Sequence, residues 1–381
     1  MRQGRHGPIP EGRHDLRSLW ASGRRLTAET RPPWLAAEDA SGYRLVASPS
    51  LADVSAAARD AAEDEFNAME LARLVVTDDP RDADVRHVYV AAPRPEPVWS
   101  IGIVSGDAPW SLADASGSNP VLTAADVPGA AATSVADPFL HRDADGGWRM
   151  FFEVDNWSTW KGEIGLATSR DGLAWRCEGI VLAEPFHLSY PHVFAADDGE
   201  IYMIPESSQA AAVRLYRARR YPHDWEHVGD LVTGLPFADP TVVRHAGRWW
   251  LFAETSGGAD DTLRLYHAAA LAGPWVEHRS SPIVRGDATC ARPAGRVVAA
   301  AGRLVRFAQN CRPAYGTAVQ AREIVRLTVD DYEERPLHAA PILGPGTGWN
   351  AGGMHHVDPV EVDAGRWLAA VDGWRMEEEV A

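Results

Sequence analysis

The sequence predicts an all-β fold, a five-bladed β-propeller behind a small helical N-terminal extension. Three observations predict it: short runs rich in Val, Ile, Trp, Tyr and Phe separated by Gly, Asp and Pro, a recurring X-Pro pair, and a tryptophan that returns every 50 residues. The pairs are Asp137-Pro138, Tyr190-Pro191, Asp239-Pro240, Arg292-Pro293 and Asp358-Pro359, at intervals of 53, 49, 53 and 66 residues. A strand, a Gly-led turn and a second strand follow each pair, and the second strands (147–153, 199–206, 247–254, 302–309 and 365–372) close on Glu153, Glu206, Glu254, Gln309 and Asp372. A third strand follows in the first three units, at 164–169, 213–218 and 263–268, and those units end on Trp175, Trp225 and Trp275. That is one four-stranded blade per roughly 50 residues, and radial repetition leaves only short protected edges. The last unit stops near Trp374, so Val98–Ser105 is expected to complete the ring. The closing tryptophans are expected to pack between blades.

The preceding residues read differently. An Arg-rich start, an Ala-rich run at helical spacing over 51–74 and a Pro/Asp-rich stretch over 78–97 predict a helical extension and linker over 1–95, with the propeller at 96–381. At 45% hydrophobic and 24% charged residues, the composition excludes a wholly disordered or fibrous chain. The formal net charge of −16 argues against nucleic acid and anionic membrane surfaces as partners. Lys161 is the only lysine among 37 basic residues. Three cysteines without a CxxC pair indicate neither a disulfide framework nor a zinc knuckle, and a reducing, cytoplasmic setting is expected. The first ten residues carry no apolar leader core and no run approaches 18 apolar residues, so neither export nor membrane insertion is expected.

Five stretches, Ala136–Leu140 (ADPFL), His187–Phe194 (HLSYPHVF), Tyr202–Ser207 (YMIPES), Ala291–Gly295 (ARPAG) and Arg306–Gln309 (RFAQ), resemble the N-terminal domain of glucosamine inositolphosphorylceramide transferases and its bacterial relatives. The resemblance runs from about Trp99 to Trp374 and implies the fold more firmly than an activity. More distantly the chain is similar to the five-bladed glycosidases of glycoside hydrolase family 43 and to mannoside phosphorylases, an analogy of fold and blade motif.

In a propeller the innermost strands line a central depression, so residues that open each blade converge. The ring here reads Asp137, His192, Asp239, Arg292 and Asp358. Inverting glycoside hydrolysis needs a carboxylate base toward water and a carboxylic acid toward the leaving oxygen, roughly 6.5–9.5 Å apart. The family 43 resemblance implies the base at Asp137 and a pKa-tuning partner at Asp239. Where that family has its acid Glu, this chain has Arg292. A guanidinium cannot donate its proton but suits a carboxylate or phosphate. Arg292, extended by Arg306 and Gln309, is therefore expected to favour glycosyl transfer or phosphorolysis over hydrolysis, or else to pair with Asp239 or Asp358 and neutralise the axis. Glu206 is the replacement acid if hydrolysis survives, although Glu153 and Glu254 hold equivalent positions and a repeated carboxylate can simply bond backbone. The Asp of each Asp-Pro can likewise bond locally.

Tyr190, His192 and His356 are expected to line the pocket, with Asp358 beside them. The histidines His187, His192, His355 and His356 could hold a divalent cation in the axial channel, as the family 43 resemblance implies, or could be satisfied core residues, because their spacing matches no metal motif. Asn156-Trp-Ser is a glycosylation sequon with no secretory signal before it. The function expected is a carbohydrate-active enzyme working at the anomeric centre of a glycoside or glycosyl phosphate. A non-catalytic glycan-binding module and a tailoring enzyme of secondary metabolism with a non-sugar substrate are the alternatives.

Overall fold

The computed structural model describes residues 97–376 except 116 and 160, together with the strand segments 35–38, 44–47, 73–79 and 82–91. Pro97–Met376 form one compact unit and the earlier strands belong to another. Those earlier strands, Leu35–Glu38, Arg44–Ala47, Arg73–Asp79 and Asp82–Ala91, make a four-stranded antiparallel sheet in the order first, second, fourth, third. This corrects the expectation of a linker over 78–97, while the helix expected over 51–74 falls almost wholly outside the described residues. The described parts of the extension are β, and the stretch read as a linker carries the hairpin of Arg73–Asp79 with Asp82–Ala91. Val recurs along both strands of that hairpin, with Thr77 and Tyr89 beside it, and such residues favour a pleated strand over a solvated linker.

Pro97–Met376 are a five-bladed propeller with five antiparallel sheets. Blade 1 consists of Ala132–Arg142, Trp148–Asn156, Lys161–Ser169 and Arg176–Leu182. Blade 2 consists of Ser189–Ala195, Ile201–Glu206, Ala212–Arg220 and Asp224–Thr233. Blade 3 has Ala238–His245, Arg248–Glu254 and Thr262–Ala268, with its outer edge shared by two short strands, Val276–Glu277 and Val284–Arg285. Blade 4 has Val298–Ala300, Arg303–Asn310, Ala318–Leu327 and Tyr332–Pro336. Blade 5 joins the two ends of the unit: Val357–Asp363 and Arg366–Met376 pair with Pro97–Ala108 and Ser111–Asp114. The strand expected to close the ring does so, with Asp372 opposite Ile101.

One apolar cluster fills each seam between blades. Ile101, Ile103 and Leu368 of blade 5 meet Val135, Trp148 and Phe152 of blade 1, and Phe139 and Phe151 of blade 1 meet Tyr190, Met203 and Tyr216 of blade 2. The closing tryptophans sit in these seams, each against the blade before its own: Trp175 with the blade 5–1 cluster, Trp225 with 1–2 and Trp275 with 2–3. Trp225 meets Phe151 edge-on, with centroids 5.4 Å apart. Each indole N–H is satisfied by a nearby carbonyl, of Gly172, Pro222 or Leu271. Burial of the inner strands on both faces therefore turns a repeat of about 50 residues into radial seams, and the seams hold those strands around one axis.

Candidate active site

Three of the X-Pro pairs form one backbone device. Asp137, Tyr190 and Asp239 each have a left-handed φ, at 51°, 46° and 49°, and each lies in a break of register on the inner strand of its blade. A residue before proline ordinarily stays extended, and a left-handed φ away from glycine is strained by about 1–2 kcal/mol. The bulge turns the backbone N–H out of the ladder, where it needs another acceptor. Carboxylates supply it. Asp372 of blade 5 accepts the Asp137 N–H at 2.9 Å across 235 residues of sequence, and Glu206 of blade 2 accepts the Asp239 N–H at 3.1 Å. The Tyr190 N–H is taken by Asp137 Oδ2 at 3.2 Å.

A second layer repeats the arrangement one step deeper. His192 Nδ1 accepts the Val242 N–H at 3.3 Å and Asp358 Oδ2 accepts the Leu140 N–H at 2.6 Å, in each case three residues beyond the next blade's bulge. Asp358 thus matches His192. The axial position of blade 5 falls two residues earlier, at His356, because Asp358-Pro359 pairs regularly with Ala370 and Ala369 and makes no bulge. The fifth X-Pro pair was out of phase with the others, as its longer interval of 66 residues allows.

Around Asp239 the donors converge on one carboxylate oxygen. Its Oδ2 accepts Arg292 Nε at 2.6 Å and Gln309 Nε2 at 2.7 Å. Arg292 also donates to Asp260 Oδ1 at 2.8 Å and lies 3.5 Å from Glu206 Oε2. Burial raises the Asp239 carboxyl above the ordinary carboxylate range, with the Arg292 guanidinium opposing it. Of the two readings of Arg292, the pairing with Asp239 holds and that with Asp358 does not. Asp358 is bound by both arms of Arg296, with Nη2 at 2.7 Å from Oδ2.

Around Asp137 the accounting does not close. Its Oδ1 is buried without a hydrogen-bond partner, and so are both ring nitrogens of His356, with Nδ1 3.6 Å from that oxygen. His355 Nε2 is 3.8 Å from the same oxygen, and His355 Nδ1 lies 2.8 Å from Asp372. Burial pushes Asp137 up to about 6, and the charge of Asp372 adds to it while His355 opposes. Burial pulls His355 down, but the Asp372 carboxylate outweighs it and holds the imidazole above its ordinary value. His356 is pushed down to about 3 by burial and stays neutral. The result is an Asp372–His355–Asp137 line that ends in an acid titrating near neutrality.

The oxygens of Asp137 and Asp372 and a nitrogen of His355 lie within 4.8 Å of one another, as a cation site would require. Asp372, however, already accepts four donors: the N–H groups of Asp137, His355 and His356 and the His355 imidazole. His355 bonds Asp372 and faces Asp137 from 3.8 Å without bonding it, so Asp372 is satisfied without a cation while Asp137 is not. His187 and His192 lie apart from the trio. His187 takes the Gly162 N–H at 2.9 Å and lies 3.3 Å from Glu153.

The family of the chain is settled by its sequence. The family described as glucosamine inositolphosphorylceramide transferase 1, N-terminal, matches residues 92–374. The chain belongs to this family. It is 36% identical over 312 residues to glucosamine inositolphosphorylceramide transferase 1 of Oryza sativa subsp. japonica, covering 74% of this chain and 41% of that protein. It is 34% identical over 301 residues to that of Arabidopsis thaliana, covering 73% and 39%. The chain thus spans about two-fifths of the length of these relatives. Among solved structures it is similar to an exo-β-1,3-galactanase from Clostridium thermocellum, with 13% identity, a TM-score of 0.45 and coverage of 56% of this chain and 51% of that one. A family 117 glycoside hydrolase from Zobellia galactanivorans has 15% identity, a TM-score of 0.45 and coverage of 75% and 92%.

Within this family member the structure sorts the candidates. Asp137, Asp239, Glu206, Arg292 and Gln309 meet at the axis, and His356 faces Asp137. Arg306 does not join them. Its fork holds Glu334, Nε to Oε2 at 2.5 Å and Nη2 to Oε1 at 2.6 Å, inside blade 4, which corrects its reading as part of an anion site. Tyr190, His192 and Asp358 are at most 2% exposed and act as struts between blades, not as a pocket lining. The Tyr190 hydroxyl bonds Thr241 at 2.8 Å and the backbone of Gly295, where a Cβ would stand 1.8 Å from the Val357 carbonyl oxygen, so only glycine fits. The sequon is closed, because Asn156 is buried and its Nδ2 donates to Glu163 at 2.8 Å.

Sequence reasoning missed His355 and Asp372 as partners of Asp137, and Arg296, Asp260 and Tyr315. Asp372 was signalled by its position at the end of a second strand, like Glu206. No signal pointed to Asp260 or Tyr315, which lie in loops.

Proposed function

We propose that this propeller is a carbohydrate-active enzyme that transfers a proton at the anomeric centre of a neutral glycoside, with Asp137 as the transferring group. One observation carries the reading: a buried carboxylate oxygen with no hydrogen-bond partner, on an acid raised to about 6, backed by a His355–Asp372 pair. A general acid or base works best when its pKa lies near the working pH, and an orphaned buried oxygen is where a substrate hydroxyl or water would bond. The relatives' name couples a sugar, glucosamine, with inositolphosphorylceramide, which supports a sugar at this site.

The phosphate branch of the sequence reading loses its support. Arg292 faces Asp239, Asp260 and Glu206, so the axis carries more negative than positive charge and repels an anionic leaving group. Asp137→Asn is expected to lower turnover of a saccharide by at least about a hundredfold, and the parent's rate to change through about pH 6. Unchanged turnover in the variant, on a saccharide the parent converts, would remove Asp137 from the chemistry.

A second reading, a glycan-binding module without catalysis, is favoured by Glu206. Its oxygens already hold the Asp239 N–H and the Ser208 hydroxyl, so it does not stand open as the second catalytic carboxyl. Saccharides that bind without any bond being made or broken would decide for that reading.

A further inference from the structure

Two side chains that this chemistry does not use flank Arg292. Tyr315, on the loop after Arg303–Asn310, lies with its ring centroid 5.0 Å from the Arg292 guanidinium carbon, and yet is 42% exposed. It meets His355 edge-on at 5.2 Å, and Trp99 at 6.3 Å. Its loop is fixed: the Gly316 carbonyl accepts the Trp374 indole N–H at 3.0 Å, and Thr317 Oγ1 donates to the Ala314 carbonyl at 2.7 Å. Asp260 comes from the loop between the second and third strands of blade 3 and bonds Arg292 Nη1 at 2.8 Å. It sits at φ 58°, a left-handed turn conformation that Asp tolerates.

Tyr315 and Asp260 flank the same guanidinium, so a held, partly exposed aromatic ring and a hydrogen-bond acceptor are joined through Arg292, which lies over one face of the ring and leaves the other for a ligand. A pyranose presents the complement, a patch of C–H groups ringed by hydroxyls. Stacking on a ring that is already fixed costs little ordering entropy. The same cluster sets the charge of the ligand, because Asp239, Asp260 and Glu206 surround a single guanidinium.

We propose that Tyr315 and Asp260 form a sugar subsite for a neutral or amine-bearing pyranose, whose apolar face stacks on the tyrosine and whose hydroxyls bond the aspartate. The proposal rests on the reading of the axis as a carbohydrate site and adds where the sugar sits and which sugars are refused.

The test is saturation-transfer NMR on the full chain with the methyl glycosides of glucose, galactose, mannose, glucosamine and N-acetylglucosamine, against methyl glucuronide and a glucosyl phosphate as anionic arms. The glycosides that bind are expected to be neutral or amine-bearing, to lose about tenfold in affinity in Tyr315→Ala and in Asp260→Asn, and to keep it within about twofold in Tyr315→Phe. An unchanged melting temperature shows that the alanine variant is folded. Binding that survives Tyr315→Ala, or anionic glycosides that bind at least as well as neutral ones, overturns the subsite and leaves the carbohydrate reading standing. Absence of binding by every glycoside overturns both.

Discussion

Asp137 and Asp239 begin alike. Each is the Asp of an Asp-Pro on an inner strand, each has a left-handed backbone, and each has its N–H held by a carboxylate from the preceding blade. Their side chains meet opposite fates. Asp239 is clasped by Arg292 and Gln309, whereas Asp137 keeps one buried oxygen without a partner and faces two imidazoles. The repeat sets the backbone, and the neighbouring blade sets the chemistry. Blade 4 offers cation and amide donors to Asp239, while blade 5 offers Asp137 a histidine already bonded to another acid. One acid is held by a cation and an amide, and in the function we propose the other exchanges a proton.

The largest effect expected breaks the saturated half. Arg292→Ala strands Asp239, Asp260 and Glu206 without their shared cation, and loss of one partner of a buried ion pair costs about 3–5 kcal/mol. Urea unfolding measures it, and a loss under about 1 kcal/mol would mean that the clasp is decorative.

The next substitution has the opposite sign. An acid whose folded pKa lies above its unfolded value stabilises the fold fully only below the ordinary carboxylate range. That contribution is lost as pH rises through about 6, by up to about 3 kcal/mol for Asp137. Asp137→Asn removes the titration and can still accept the Tyr190 N–H. The variant is therefore expected to be more stable than the parent at pH 8 and nearly equal at pH 4. Equal stability at both would show that Asp137 is not held protonated by its burial.

The five blades, their closing strand and the seam tryptophans were legible because short apolar runs between turn residues, repeated about every 50 residues, are written in the chain itself. Asp137 and Asp239 were found for the same reason, since a repeated X-Pro marks the inner strand. The state of each carboxylate was not legible, because it depends on contacts such as Asp372 to Asp137, formed only when the ring closes. The partners of Arg292 were left open, as an anion or as Asp239 or Asp358, for the same reason: the acids that hold it come from other blades, and Asp260 lies in a loop with no motif of its own. Asp358 was misplaced by counting X-Pro pairs where the bulge, not the proline, defines the axial position.

The smallest effect sharpens the comparison by touching the tie between the halves. Tyr190 belongs to both: its N–H is held by Asp137, while its hydroxyl bonds Thr241 of blade 3 and the Gly295 backbone of blade 4. Tyr190→Phe keeps the ring and the N–H and leaves Thr241 and Gly295 short of a partner, a loss of about 1–3 kcal/mol for buried polar groups. If the two halves are independent, the variant unfolds at lower urea while the pH dependence through about 6 stays where it was. If the hydroxyl bonds position Asp137 through the shared backbone, that midpoint moves with the stability. The proton-exchanging half would then owe its pKa to the same struts that hold the saturated half, and the separation drawn between Asp137 and Asp239 would have to be given up.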